Sequence, residues 1–178
     1  PLEEISKHFG TKTINKTIEH KVNWKLLVEN VLECYHCSSV HENSFAKMGF
    51  GSISPEKFDF FDAHSWCEFP KGESVKENKI IQKSLSGRSF KTQGYLHFYI
   101  YPNAFISSVE GKGFYFGFML PESSIKTNLR VRYFSPKFEK DLSESEQNII
   151  DFINNSSNES LDLVLNEDKK IAENIQSN

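Results

Sequence analysis

The chain has 178 residues, 38% hydrophobic and 25% charged, which suits one globular domain with a substantial core and excludes a disordered segment. A formal charge of -3 leaves no basic footprint for nucleic acid, and no apolar run approaches the roughly 20 residues that span a membrane. No secretory signal opens the chain, and three cysteines (Cys34, Cys37, Cys67) cannot all pair, so a reducing, cytoplasmic setting is expected.

The chain starts at Pro1 rather than Met and stops at Asn178 directly after a helical pattern, so it reads as a piece of a longer protein. Residues 13–22 alternate, with Ile14, Ile18 and Val22 on one face, and predict a strand. Asn23 then caps a helix with Trp24, Leu27, Val28, Val31 and Tyr35 on its apolar face. Residues 42–55, with Gly49, Gly51 and several serines, read as a loop. Strands are expected over 63–69, 79–86, 94–101, 104–109, 113–120 and 125–134, punctuated at Pro102-Asn103 and Pro121-Glu122. The strict alternation from Ile125 to Tyr133 marks a strand with one wet face. Ser143 and Glu146 have capping-box spacing for a helix to about Asn154, and a second helix is expected over 158–176. The order gives an α+β fold, a curved antiparallel sheet wrapped around a helix with a pocket between them. The 16 Phe suit either a large aromatic core or an aromatic-walled pocket.

Three places carry chemistry. On a helical wheel Asp168 falls within the apolar stripe of Leu161, Val164, Leu165, Ile171, Ala172 and Ile175. A carboxylate there is desolvated and needs a partner: a cation, a set of backbone donors or a metal. The other reading is a break near Asn166, with Asp168 capping the second half. His36 and His41 are candidate metal ligands, and two imidazoles with one carboxylate suit non-haem Fe(II) and dioxygen. Five residues apart they diverge by about 140° on a regular helix, so the helix must end or bulge between Cys37 and His41. Glu33 lies one turn before His36 on a stripe shared with Glu29, placed to bridge or to support that ligand, or simply solvated. Cys34 and Cys37 spell C-x-x-C, but a redox dithiol belongs at a helix start after a strand, not at a helix end. A zinc site would need Cys67 and His64 as a second ligand pair. His97 alternates with Tyr95, Tyr99 and Tyr101 and either lines a pocket or is satisfied within the sheet.

Asn23-Trp24-Lys25, Glu29-Asn30 and Glu33-x-Tyr35-His36-x4-His41, with Glu167-Asp168-x4-Glu173-x2-Gln176, resemble the catalytic domain of Rieske-type non-haem iron oxygenase large subunits. The resemblance implies a helix-grip fold over 1–178, with His36, His41 and Asp168 as ligands of mononuclear Fe(II). It makes Glu33 the bridging acid that carries electrons from a neighbouring subunit. Glu there, within Glu33-Cys34-Tyr35-His36-Cys37, is similar to the branch acting on quaternary ammonium compounds such as glycine betaine, choline or carnitine. The family's [2Fe–2S] cluster is held by paired Cys-x-His and Cys-x2-His motifs, which this sequence lacks, so that domain is expected upstream of Pro1. A homotrimer, a reductase partner using NAD(P)H, O2 and a small organic substrate follow from the family. Rival readings are an oxygenase or demethylase for aromatic acids, a helix-grip binding module without iron, and a zinc hydrolase relying on Glu33.

Overall fold

The computed structural model describes residues 2–48, 54–70, 75–85, 90, 92 and 94–178. A seven-stranded antiparallel sheet runs in the order β1-β7-β6-β5-β4-β3-β2. Its strands are β1 (Phe9–His20), β2 (Lys57–Phe61), β3 (His64–Phe69), β4 (Tyr95–Ile100), β5 (Ala104–Val109), β6 (Phe114–Ser123) and β7 (Lys126–Pro136). The helices are α1 (Leu2–Ser6), α2 (Trp24–Leu32), the single turn α3 (Cys37–Val40), α4 (Val75–Ser84) and α5 (Glu144–Ser177).

Alternation along the strands builds two apolar layers. On one face, Phe105, Met119, Leu129 and Val131 pack against Leu27 and Val28 of α2 and Leu165 and Ala172 of α5. On the other, Leu96, Phe98, Ile106 and Phe114 form a second cluster with Ile5, Phe9, Trp66, Phe116 and Phe134. The phenylalanines therefore serve both expected roles: this outer layer takes Phe9, Phe98, Phe114, Phe116 and Phe134, and Phe45, Phe69, Phe105 and Phe152 line a cavity under α5. A sheet gripping a long C-terminal helix over a cavity is the architecture read from the sequence.

Several local expectations change. The expected strand over 79–86 is the helix α4 as far as it is described, Ser86 lying outside the described residues. Leu85 joins Ile150 and Ile153 of α5 in one cluster and Ile81, one turn earlier, packs against it, a pairing that helical spacing allows and that decides the period. The two expected C-terminal helices are one, of 34 residues. Its Ser143–Glu146 capping box forms as read. The weak helix formers near residue 156 stay helical because two sheet tyrosines hold them: Tyr115 donates to the Ser157 carbonyl at 3.1 Å and Tyr133 to Asn154 Oδ1 at 3.1 Å. There is consequently no break near Asn166, and Asp168 caps nothing.

Asn23 caps α2 as expected, accepting from the Lys25 N–H. That helix stops at Leu32, however, and Tyr35 is 85% exposed rather than on the apolar face. The expected loop over 42–55 holds one 3-10 turn at Ala46–Met48, and its Gly49 and Gly51 lie outside the described residues. β6 continues through Pro121 to Ser123 with a register irregularity there, and the edge strand β2 and the short α1 carried no pattern that the sequence reading used.

Candidate metal centre

The break after α2 is what aims the histidines. Glu33 leaves the helix in an extended conformation (φ -128°, ψ 160°), and its carboxylate accepts from the backbone N–H of Tyr35 at 2.8 Å and of His36 at 3.3 Å. That carboxylate supports the next turn as a cap would. α3 then presents His36 just before it and His41 just after it. α2 thus ends earlier than expected, at Leu32, while α3 ends at Val40, inside the expected interval from Cys37 to His41; Glu29, Glu33 and His36 do not share a helical stripe. Cys34 and Cys37 are joined as a disulfide across the same turn, and Cys67 is free, so the three cysteines do not all pair, but the bond is not what the expected reducing setting favours.

His36 Nε2, His41 Nε2 and Asp168 Oδ1 converge. His36 Nε2 lies 3.2 Å from His41 Nε2 and 3.5 Å from Asp168 Oδ1, and His41 Nε2 lies 3.1 Å from the same oxygen. Metal–nitrogen bonds of about 2.1 Å meeting at right angles set neighbouring donor atoms about 3.0 Å apart, so this triangle has the size of one face of an octahedral site. The outer nitrogens are occupied by carboxylates: His36 Nδ1 pairs with Glu33 Oε1, and His41 Nδ1 with Glu167 Oε2 at 2.8 Å. Each ring therefore directs Nε2 inward, and a carboxylate behind a ligating imidazole fixes its tautomer and raises its basicity. Ser44 donates to Glu167 at 2.7 Å, and the Asn30 amide donates to Asp168 Oδ1 at 2.9 Å.

Electrostatics match the geometry. Burial alone would push the Asp168 carboxyl up, but hydrogen bonds with His36 and His41, the His41 charge and the Asn30 amide hold it down at about 2. Burial works against charge on His36 and His41, yet Asp168 with Glu33 or Glu167 outweighs it and raises both above the usual imidazole value. Such a set of converging anionic and imidazole donors fits a divalent cation. The Cys37 sulfur lies within 4.8 Å of the histidine donors, but its disulfide withholds it as a thiolate.

All four residues singled out in the sequence meet here, and three others escaped it. Glu167 and Asn30 stood within quoted motifs without a role, and Ser44 sat in the loop; no local pattern distinguishes a carboxylate behind a histidine from one in water. The C-x-x-C pair forms a bond rather than a zinc site with Cys67 and His64. The centre opens into a cavity of about 310 Å³ between α2, α5 and the sheet, with aromatic walls from Phe45, Tyr95, Phe105 and Tyr115, a volume suited to a small ligand.

An antiparallel sheet holding a long helix over a ligand cavity, with clustered donors at one end, defines the helix-grip class. Residues 11–178 match the family model of the ring hydroxylating alpha subunit (catalytic domain), and the chain belongs to that family: it is a Rieske oxygenase catalytic domain. No curated protein matches it in sequence. Among solved structures, it is similar to the quaternary ammonium Rieske monooxygenase CntA with L-carnitine, at 17% identity and TM-score 0.58, covering 94% of this chain and 38% of that one. It is similar to dicamba monooxygenase bound to dicamba, at 16% identity and TM-score 0.59 over 92% of this chain and 48% of that one. Naphthalene 1,2-dioxygenase from Rhodococcus sp. bound to indole gives 16% identity and TM-score 0.58 over 93% and 43%. The chain thus spans less than half the length of each. Among the described residues no helix is long and apolar enough to cross a membrane.

Proposed function

We propose that this chain holds mononuclear Fe(II) through His36, His41 and Asp168 and hydroxylates a small organic substrate with O2. The observation that carries the reading is the triangle of inward donors, 3.1 to 3.5 Å apart, with a carboxylate behind each imidazole. A ligand-binding module needs no such convergence, and a zinc hydrolase would need a general base where Glu33 is already committed to His36 and two backbone N–H groups. Iron, when bound, supplies the redox centre for dioxygen chemistry at the remaining open positions.

The protein's own groups do the rest. Glu33 and Glu167 fix the two rings, Asn30 orients Asp168, and the aromatic walls exclude water and position substrate beside the centre. Monooxygenation balances as R–H + O2 + 2 electrons + 2 protons giving R–OH + H2O. The electrons would be supplied by a [2Fe–2S] Rieske cluster in a domain outside these residues, with an NAD(P)H-dependent reductase as partner. Glu33, 26% exposed and bonded to His36, takes the part of the bridging acid from a neighbouring subunit in a homotrimer.

A quaternary ammonium compound is the preferred substrate class. The carnitine monooxygenase named above shares the fold, and the aromatic walls of the cavity suit a cation. Hydroxylation of an N-methyl or adjacent carbon would then release an aldehyde as the C–N bond breaks. The same walls accept a flat ring, so aromatic-ring dihydroxylation or aromatic-acid demethylation is the second reading.

Metal analysis after anaerobic loading is expected to find about one iron per chain; no iron after reconstitution overturns the reading. Glu167→Ala frees His41 Nδ1 and leaves the three donors in place, so iron affinity should fall about 10–100-fold, the usual cost of losing such a partner. Competition with a chelator measures it, and an unchanged affinity would remove Glu167 from the site.

A further inference from the structure

Resting on the cavity as the substrate site proposed above, the geometry points to His97 as its specificity-determining donor: Nε2–H meets a neutral oxygen acceptor (hydroxyl, ether or carbonyl) of the substrate.

Cys67, His97, Ser107 and Tyr115 are successive cross-strand partners on β3, β4, β5 and β6. Antiparallel partners share a face, so they form one polar row across the sheet, and all four line the cavity. Most of that row is already committed. The Tyr115 hydroxyl donates to the Ser157 carbonyl. Burial pushes the Cys67 thiol up to about 11, which keeps it neutral. The Ser107 hydroxyl is not among the buried polar atoms that lack a partner. The exception is His97: only 7% exposed, its Nε2 is buried without a hydrogen-bond partner among the described residues. A histidine satisfied within the sheet would have both nitrogens bonded, and an orphaned buried polar atom is uncommon because it costs free energy on folding.

The other ring nitrogen fixes what Nε2 offers. Tyr95 Oη lies 3.3 Å from His97 Nδ1. We assign the phenol hydroxyl as the donor to Nδ1, which places the hydrogen of the neutral ring on Nε2. Burial lowers the His97 pKa to about 4, so the ring remains neutral near pH 7. Stacking on Phe105, with ring centroids 5.8 Å apart, limits its rotation.

The charges around the cavity choose the acceptor. The charged residues that line it are Glu33, Glu110, Asp168 and Lys112, and Lys112 is ion-paired with Glu110 at 2.7 Å. Lys112 is already paired and a neutral imidazole brings no charge to offset burial of a carboxylate, whereas a neutral oxygen gains a hydrogen bond at little electrostatic cost. A site built to bond such an oxygen also rejects the analogue lacking it, because the donor is then left unpaired.

Two matched pairs test this for either substrate class: choline against propyltrimethylammonium, and anisole against ethylbenzene. Within each pair an oxygen replaces a carbon and little else changes. Titration calorimetry on the iron-loaded chain is expected to show the oxygen member binding about tenfold more tightly in whichever pair the cavity accepts. His97→Phe keeps the stack on Phe105 and removes the donor, so that preference should vanish or reverse while the carbon member binds as well as before. His97→Gln, which restores an N–H, should recover part of it. Equal affinity within the pairs for the wild type, an unchanged preference in His97→Phe, or no binding by any of the four overturns the assignment. Iron content measured on the same samples judges the metal centre separately, so failure of the donor is distinguishable from failure of the oxygenase reading.

Discussion

Asp168→Ala is expected to abolish stoichiometric iron binding while leaving the fold in place. The substitution removes the one anionic donor from the triangle and leaves two imidazoles that hold a divalent cation poorly. The loss should exceed the roughly 100-fold upper range for an outer partner such as Glu167, taking iron from about one per chain to near zero. The fold should survive for two reasons. Position 168 lies inside α5, where alanine is the best helix former, and the variant no longer buries a carboxylate. Metal analysis and the helical circular dichroism signal decide it together. Full iron content in the variant would remove Asp168 from the centre, and a collapse of helicity would show that its role is structural.

Phe114→Ala is expected to have the opposite profile, a large stability loss with the centre intact. Phe114 is 1% exposed in the outer layer, its ring centroid 4.7 Å from that of Phe9. Truncating a buried phenylalanine costs about 3–5 kcal/mol through lost transfer energy and the cavity left behind. In a chain of this size that lowers Tm by roughly 6–20 °C. Below the new Tm, iron content should match the wild type, because the outer layer lies on the face of the sheet away from α5. Calorimetry reads the first effect and metal analysis the second. A Tm within about 2 °C of the wild type would mean that this layer is not close-packed.

These two variants separate what the two faces of the sheet do, and the sequence distinguished those faces unevenly. The alternation from Ile125 to Tyr133 was read directly, and β7 carries it, with Leu129, Val131 and Tyr133 buried on the helix side. Asn23 and Ser143 cap their helices because capping needs only a side-chain oxygen and an N–H two or three residues away. Where short apolar runs carried the only signal, the reading failed. Ile80, Ile81 and Leu85 looked like a strand because two β-branched residues adjoin, and only the surface of α5 selects the helical pairing of Ile81 with Leu85.

The sequence by itself determined the chemistry of the centre: which residues bear imidazole and carboxylate, the family pattern they make, and the α+β order that carries them. The tertiary structure decided which atoms meet. Asn30 and Asp168 are 138 positions apart and His41 and Glu167 are 126 apart, yet both pairs are hydrogen-bonded. Local backbone preferences act over a few residues and cannot encode such distances; those contacts follow from packing α5 across the sheet beside α2. The same packing keeps α5 unbroken through Asn154 and Ser157, directs both Nε2 atoms toward Asp168, and leaves His97 Nε2 without a partner in the polar row that lines the cavity.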